Sequence, residues 1–251
     1  MLPADLIAAL DTVAATPRLL VTSDFDGTLS PIVNNPADAR ALPAGSAALL
    51  ALADLPDTFV ALVSGRALGV LRELSGMPSS VQLVGSHGAE FDTGFTQTVD
   101  GVLLAQIVDS LTEIASRYPG VAVETKPASV ALHVRNASEA DGDAALAAAR
   151  TAGEQWPAET TEGKAVLEFA VITTNKGSAI DTLRERDFGG AGATAVVYLG
   201  DDITDEKAFA RLRDGDVGVK VGTGPSAAQY RVDSPEDVAE ALAYLARRRA
   251  G

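Results

Sequence analysis

The chain has 251 residues and a formal charge of −14. That length gives one large core or two modest ones, and the acidic surplus argues against nucleic acid or an anionic membrane as a partner. The sequence contains no cysteine, which excludes disulfides and thiolate metal sites.

Residues 4–14 read as a short amphipathic helix. The stretch Met1–Leu20 lacks a basic leading segment and carries Asp5 and Asp11, so no secretory signal is expected. No apolar run reaches the ~20 residues that span a bilayer, and a cytoplasmic location is the expectation. The apolar run Leu19-Leu20-Val21 reads as a buried strand. It leads into Asp24-Phe25-Asp26-Gly27-Thr28-Leu29. Carboxylates at i and i+2 on one strand end repel unless a divalent cation or a cationic side chain lies between them. The glycine permits a tight turn or the close approach of a ligand. Taken alone, this stretch also reads as an acidic turn capping a helix.

A proline-bearing loop, Ser30–Pro36, precedes a helix from Pro43 to Asp54. Thr58–Val63 is a second apolar strand, ending in Ser64-Gly65-Arg66, and Ala67–Ser75 is helical. Val81–Val84 is a third, followed by Gly85-Ser86-His87-Gly88-Ala89-Glu90. Strands alternating with helices indicate a parallel sheet. Ligands of such sheets sit beyond the carboxyl ends of the strands, which is where Asp24, Asp26, Ser64 and His87 fall.

The pattern then changes. A helix over Val102–Tyr118, strands at Val121–Thr125 and Ser129–Arg135, a helix over Ser138–Ala152 and strands near 158–161 and 165–170 indicate a mostly antiparallel sheet with helices on one face. Alternation places Ala122, Glu124 and Lys126 on one face, as it does Ser129, Ala131, His133 and Arg135, with Glu168 on the later strand. The opposite face is apolar. The polar face reads either as a solvated surface or as a set of hydrogen-bonding partners suited to sugar hydroxyls.

The parallel pattern resumes with a helix starting at Asn175-Lys176-Gly177 and running to about Arg186. A buried strand, Ala193–Leu199, ends in Gly200-Asp201-Asp202-Ile203-Thr204-Asp205-Glu206, and a helix continues to Leu212. Val217–Val221 is a strand, and Ser234 caps a last helix with Pro235 at its first position. Arg247-Arg248-Arg249 suit its C-terminus in a capping and solvation role. The fold class expected is α/β: a Rossmann-like parallel-sheet core, residues 1–95 and 173–251, with an inserted α+β cap domain at 96–172.

Four constellations coincide in this order: Asp24-x-Asp26-x-Thr28, Ser64 at a strand end, Lys176 at a helix start, and Gly200-Asp201-Asp202 with Asp205. Together they resemble the haloacid dehalogenase superfamily of phosphotransferases. That resemblance implies Mg²⁺ as cofactor and an aspartyl-phosphate intermediate on Asp24, with Asp26 as general acid and then base. It also implies that the Asp26 backbone carbonyl, Asp24 and Asp201 ligate the metal, with Asp202 and Asp205 in support. Ser64 would hydrogen-bond a phosphoryl oxygen, and Lys176 would neutralise both the phosphoryl group and Asp24. A neutral Asp26 requires burial or nearby carboxylates to raise its pKa.

The wording of Asp24–Ile32, Ser64-Gly65-Arg66, Gly85–Glu90, Glu124-Thr125-Lys126, Asn175-Lys176-Gly177 and Gly200–Glu206 is similar to the trehalose-6-phosphate phosphatase family over nearly the whole chain. The likeness implies that Glu124, Lys126 and Glu168 hold the sugar, with Thr28, Gly65, Arg66 and His87 near the bound substrate. It implies a small-molecule sugar phosphate, trehalose 6-phosphate, as partner, with no nucleic acid, membrane or obligatory protein partner. His87 and His133 read equally as structural histidines, and no role is assigned to Arg135. The chain departs from the family's R-P-x-x-x-N-K-G pattern, having Ala170-Val171 in place of Arg-Pro. A phosphatase of sucrose phosphate or glucosylglycerol phosphate, a phosphomutase and a non-catalytic sugar-phosphate sensor are the alternatives.

Overall fold

The computed structural model describes residues 2–173, 175–187 and 194–251. The chain divides into two compact units, Met1–Gly94 with Thr174–Gly251, and Phe95–Thr173. In chain order the first unit begins with α1 (Ala4–Ala14), β1 (Arg18–Ser23), α2 (Pro43–Ala53), β2 (Thr58–Val63), α3 (Leu68–Ser75) and β3 (Val81–Val84). Two short strands, β4 (Glu90–Phe91) and β5 (Gly94–Phe95), precede α4 (Gly101–Ser116), β6 (Ala122–Thr125), β7 (Ser129–His133), α5 (Glu139–Gly153), β8 (Glu159–Gly163) and β9 (Val166–Ala170). The chain ends with α6 (Lys176–Thr182), a π turn at Leu183–Asp187, β10 (Thr194–Gly200), α7 (Glu206–Phe209), β11 (Val217–Val221), β12 (Tyr230–Val232) and α8 (Pro235–Ala250).

The first unit holds a parallel sheet in the order β12-β11-β10-β1-β2-β3. Its central strands are buried on both faces, which is why they read as unbroken apolar runs. Leu19 and Val21 of β1, with Val197 and Leu199 of β10, pack with Leu10 of α1, Leu49 of α2 and Leu242 of α8. The alternate residues Leu20, Val196 and Tyr198 pack with Ala179 and Ile180 of α6 and Phe209 of α7. The sheet is therefore doubly wound, and the chain leaves β1 in one direction and β10 in the other. That reversal opens a crevice at the carboxyl ends of these two strands.

In the second unit the antiparallel sheet has the order β6-β7-β9-β8. Val130, Leu132, Leu167 and Phe169 form a core with Leu103, Ile107 and Leu111 of α4 and Ala145 and Ala149 of α5. Glu124, Ala131 and Glu168 are successive cross-strand partners on the other face. Asp100 and Ser138 cap α4 and α5 with side-chain oxygens that accept backbone N–H bonds.

Three local expectations need revision. The helix expected to follow Asp205 as far as Leu212 is only α7, because beyond Phe209 the chain tightens to i→i−3 bonds, Arg211 N to Ala208 O and Leu212 N to Phe209 O. The three-residue edge strand β12 lies in a stretch with no strand signal. The terminal arginines do more than meet solvent. Arg249 donates to Thr58 Oγ1 and to the carbonyls of Ala14, Thr16 and Asp57, and Arg248 pairs with Asp11, so the end of α8 clamps the turns at the N-terminal edge of the sheet. Ala193, the expected first residue of β10, lies outside the described residues. Ser234 caps α8 by accepting from Asp237 N, as its position predicted.

Candidate functional site

The site is built where β1 and β10 end. Ser23 and Leu199 are register partners, and Asp24 N donates to Leu199 O at 2.9 Å, so Asp24 stands beside Gly200 at the start of the acidic turn. Asp24 is 4% exposed; its Oδ1 accepts from Phe25 N at 2.7 Å. Asn175 caps α6 with a reciprocal bond to Ser178, which fixes Lys176 as the first helical residue. Lys176 is buried, and its Nζ lies 2.9 Å from Asp24 Oδ2 and 2.8 Å from Asp205 Oδ1.

Asp205 organises the turn. Its Oδ1 also accepts from Tyr198 OH at 2.5 Å, and its Oδ2 accepts from the backbone N–H groups of Asp201 and Asp202, each at 2.9 Å. Asp201 Oδ1 accepts from Thr28 Oγ1 at 3.2 Å. Carboxylate oxygens of Asp24, Asp201 and Asp205 lie within 4.8 Å of one another, a cluster that could hold a metal ion. A carboxylate has about four lone-pair sites. The four donors on Asp205, from Lys176, Tyr198, Asp201 and Asp202, account for them, so acceptor capacity for a cation is left on Asp24 and Asp201.

The electrostatics follow from burial. Desolvation pushes the Asp24 carboxyl well above its usual range; the charges of Asp205, Asp202 and Asp201 add to this, and Lys176 opposes it. Asp201 is pushed up to about 6 by burial, then by Asp205 and Asp202. Burial alone would lower the Lys176 pKa, but the charges of Asp24, Asp205 and Asp202 overcome it and raise it. For Asp202, burial is outweighed by Lys176 and by hydrogen bonds from Thr204 and Asp205, and its pKa is lowered. Of the three clustered carboxylates Lys176 touches Asp24 and Asp205, so the cluster holds more acidic groups than this one lysine meets, a surplus that a hard cation with oxygen ligands would neutralise.

The second strand end contributes the opposite wall. Ser64 is buried and its Oγ accepts from Arg66 N at 3.2 Å. Arg66 reaches Asp26 as a fork, Nε to Oδ2 at 2.7 Å and Nη2 to Oδ1 at 2.6 Å, with its guanidinium 5.8 Å from the Phe25 ring centroid. The sequence expectation set Asp26 beside carboxylates or in a buried pocket. Its carboxylate instead faces a guanidinium and keeps 33% side-chain exposure. His87 N donates to Ser64 O at 2.9 Å, and Ser86 and His87 both adopt positive φ, 51° and 56°. Glu90 secures that loop, accepting from Ser86 Oγ at 3.1 Å and from Leu68 N at 2.8 Å.

Two of the site's glycines leave room for side chains of the expected site. A Cβ on Gly65 would lie 2.4 Å from His87 Cε1. Gly27 has φ +78°, and a Cβ there would lie 2.2 Å from Asp201 Oδ2. Gly27→Ala is expected to destabilise the fold by about 1–2 kcal/mol through the left-handed backbone alone and to displace Asp201, so that thermal melting and divalent-cation titration both register a loss.

Of the expected site residues, Asp24, Asp26, Thr28, Ser64, Gly65, Arg66, His87, Lys176, Asp201, Asp202 and Asp205 lie in the first unit at or just beyond the carboxyl ends of β1, β2, β3 and β10 or at the start of α6. Glu124, Lys126 and Glu168 lie in the second unit, on the sheet face away from its core. There Glu168 Oε2 accepts from Lys126 Nζ at 2.9 Å and Oε1 from Ser129 Oγ at 2.6 Å. His133 Nε2 lies 2.8 Å from Glu124 Oε2. Tyr198 and Lys220 escaped the sequence reading, which placed Ser129 on the polar face without giving it a role. The signal for Lys220 was present, as the only charge inside Val217-Gly218-Val219-Lys220-Val221.

An acidic, lysine-bridged cluster that could hold a metal ion stands at the switch point of a doubly wound sheet, and the class is that of an α/β protein. The trehalose-phosphatase family model matches residues 22–236, and the chain belongs to that family. The trehalose-phosphate phosphatase of Mycobacterium avium is 38% identical over 240 residues, covering 89% of this chain and 61% of that protein. The chain thus spans about three fifths of the length of this curated relative. Among solved structures, the C-terminal domain of C. albicans trehalose-6-phosphate phosphatase superposes with a TM-score of 0.83 at 24% identity, covering 98% of each chain. The Aspergillus fumigatus trehalose-6-phosphate phosphatase superposes at 0.69 with 26% identity, covering 96% of this chain and 97% of that one. Among the described residues no helix is long and apolar enough to cross a membrane.

Proposed function

We propose that this chain is a Mg²⁺-dependent phosphomonoesterase of the haloacid dehalogenase type that hydrolyses trehalose 6-phosphate to trehalose and phosphate. The observation that carries this reading is Lys176 bridging Asp24 and Asp205 beside Asp201 in a member of the trehalose-phosphatase family. Residues 1–95 and 173–251 act as the catalytic core and 96–172 as the sugar-specificity domain.

Asp24, Asp201 and the backbone carbonyl of Asp26 would hold Mg²⁺, and the all-oxygen donor set fits a hard cation. When bound, the ion supplies charge neutralisation that lets an anionic carboxylate approach a phosphate dianion. The carboxylate of Asp24 attacks phosphorus, and the bond from phosphorus to the sugar oxygen breaks. Lys176 neutralises Asp24 and the transferring group as a compact charge. Ser64 hydrogen-bonds a phosphoryl oxygen. Asp26 gives a proton to the departing sugar oxygen, then takes one from the water that hydrolyses the aspartyl-phosphate. For this Arg66 must release Asp26; a phosphate offers the same forked acceptor geometry and is the natural exchange partner.

Sugar recognition is assigned to Glu124, Lys126 and Glu168, with the Lys126 and Ser129 bonds holding Glu168 in one orientation. Glu124 is half exposed, so its removal is mild for folding. Glu124→Ala is expected to lower kcat/KM for trehalose 6-phosphate by about ten- to a hundredfold, the worth of one charge-assisted hydrogen bond, and to leave hydrolysis of a small aryl phosphate within about twofold. Equal losses on both substrates would remove Glu124 from sugar recognition. The covalent step is tested by acid quench during turnover and mass spectrometry. A phosphoryl group on the peptide containing Asp24 is expected, and turnover without any such adduct contradicts the mechanism.

A further inference from the structure

Lys220 is a buried ammonium that the reaction scheme leaves unused. It sits on β11 opposite Gly200, the last residue of β10, and is 5% exposed. Burying a lysine is costly unless its charge and its donors are met. Lys220 Nζ donates to the backbone carbonyl of Asp201 and lies 3.4 Å from that of Asp202. Among the described residues its carboxylate partner is Glu206, whose Oε1 lies 3.6 Å away. The N–H groups of the same two aspartates donate to Asp205 Oδ2. The backbone of the acidic turn is thus held from both sides by buried charges, its donors by Asp205 and its acceptors by Lys220.

We propose that Lys220 is a positioning residue for the divalent-cation site, fixing the Asp201–Asp202 backbone so that the Asp201 carboxylate points at the ion. This rests on the metal-dependent reading above. Groups that hold metal ligands in place typically change metal affinity by roughly 10- to 100-fold when removed. The rival role, simple compensation of excess negative charge, predicts the opposite sign: deleting the ammonium would make the cluster more anionic and tighten cation binding.

The test titrates Mg²⁺ alone by calorimetry into the wild-type protein, Lys220→Met and Lys220→Gln. Both variants remove the charge at a position flanked by Val219 and Val221, and the second covers the case in which the first does not fold. Positioning predicts at least about tenfold weaker binding in either folded variant. It also predicts faster amide hydrogen exchange at Asp201 and Asp202 in the metal-free variant. Unchanged or tighter binding overturns the role of Lys220, as does unaltered exchange at both amides. A wild-type protein that binds no Mg²⁺ overturns the metal reading itself, which separates the two failures.

Discussion

Asp24→Asn is expected to lower phosphate release by about 10⁴-fold or more, the scale on which loss of a single nucleophile acts, while the protein stays folded. The amide keeps the size of the side chain but lacks the carboxylate oxygen that would form the acyl phosphate. Stability in metal-free buffer should be preserved for a physical reason. Burial and the nearby charges of Asp205, Asp202 and Asp201 disfavour a charge on Asp24 against the pull of Lys176; Asn removes that charge without opening a cavity, and Lys176 keeps Asp205 as its ionic partner at 2.8 Å. The check is steady-state phosphate release beside a thermal melt. An unchanged melting curve with lost turnover places Asp24 in the chemistry, and retained turnover dismisses it as nucleophile.

Lys176→Met is expected to damage both activity and folding. Lys176 is 2% exposed, its partners Asp24 and Asp205 are at most 6% exposed, and the two contacts are 2.9 Å and 2.8 Å. At that burial, solvent screening offers little discount. Removing one partner of a buried ion pair leaves a stranded charge and typically costs about 3–5 kcal/mol. For a chain of this size the loss corresponds to a fall in melting temperature of roughly 10 °C. Turnover should fall with Asp24→Asn, because the repulsion between Asp24 and an incoming phosphate is no longer cancelled locally. A variant with a wild-type melting curve would show that the Asp24 and Asp205 charges are met by some other group.

The fold was largely legible because the strands are short apolar runs that stop at polar turns, and helices with side-chain caps begin where those caps stand. Asp100, Ser138, Asn175 and Ser234 each accept capping backbone bonds, and Ser234 was read as a cap from the sequence. The family and the α/β class were legible because chemistry-bearing residues are confined to strand and helix ends, where spacing survives. The partners were less so. Lys220 meets the acidic turn only once β10 and β11 are paired, Tyr198 meets it from within β10, and each reads as a core strand position. The fork between Arg66 and Asp26 joins side chains 40 residues apart, and nothing local in either segment specifies it. Ser129 meets Glu168 across the β7–β9 ladder for the same reason, at a separation of 39 residues. The short α7 was misjudged because past Phe209 the chain turns on i→i−3 bonds, Arg211 N to Ala208 O and Leu212 N to Phe209 O, which its composition does not distinguish from a continuing helix.

The measurement that bears most directly on the account is phosphate release from a panel of trehalose, sucrose, glucose and glucosylglycerol phosphates, each with Mg²⁺ and with EDTA. The account predicts release that needs the cation and strongly favours trehalose 6-phosphate. Cation-dependent release from another member of the panel would keep Asp24, Lys176 and Asp201 in their roles and contradict the assignment of Glu124, Lys126 and Glu168. Binding of trehalose 6-phosphate with no release under either condition would contradict the central claim and leave a sugar-phosphate sensor.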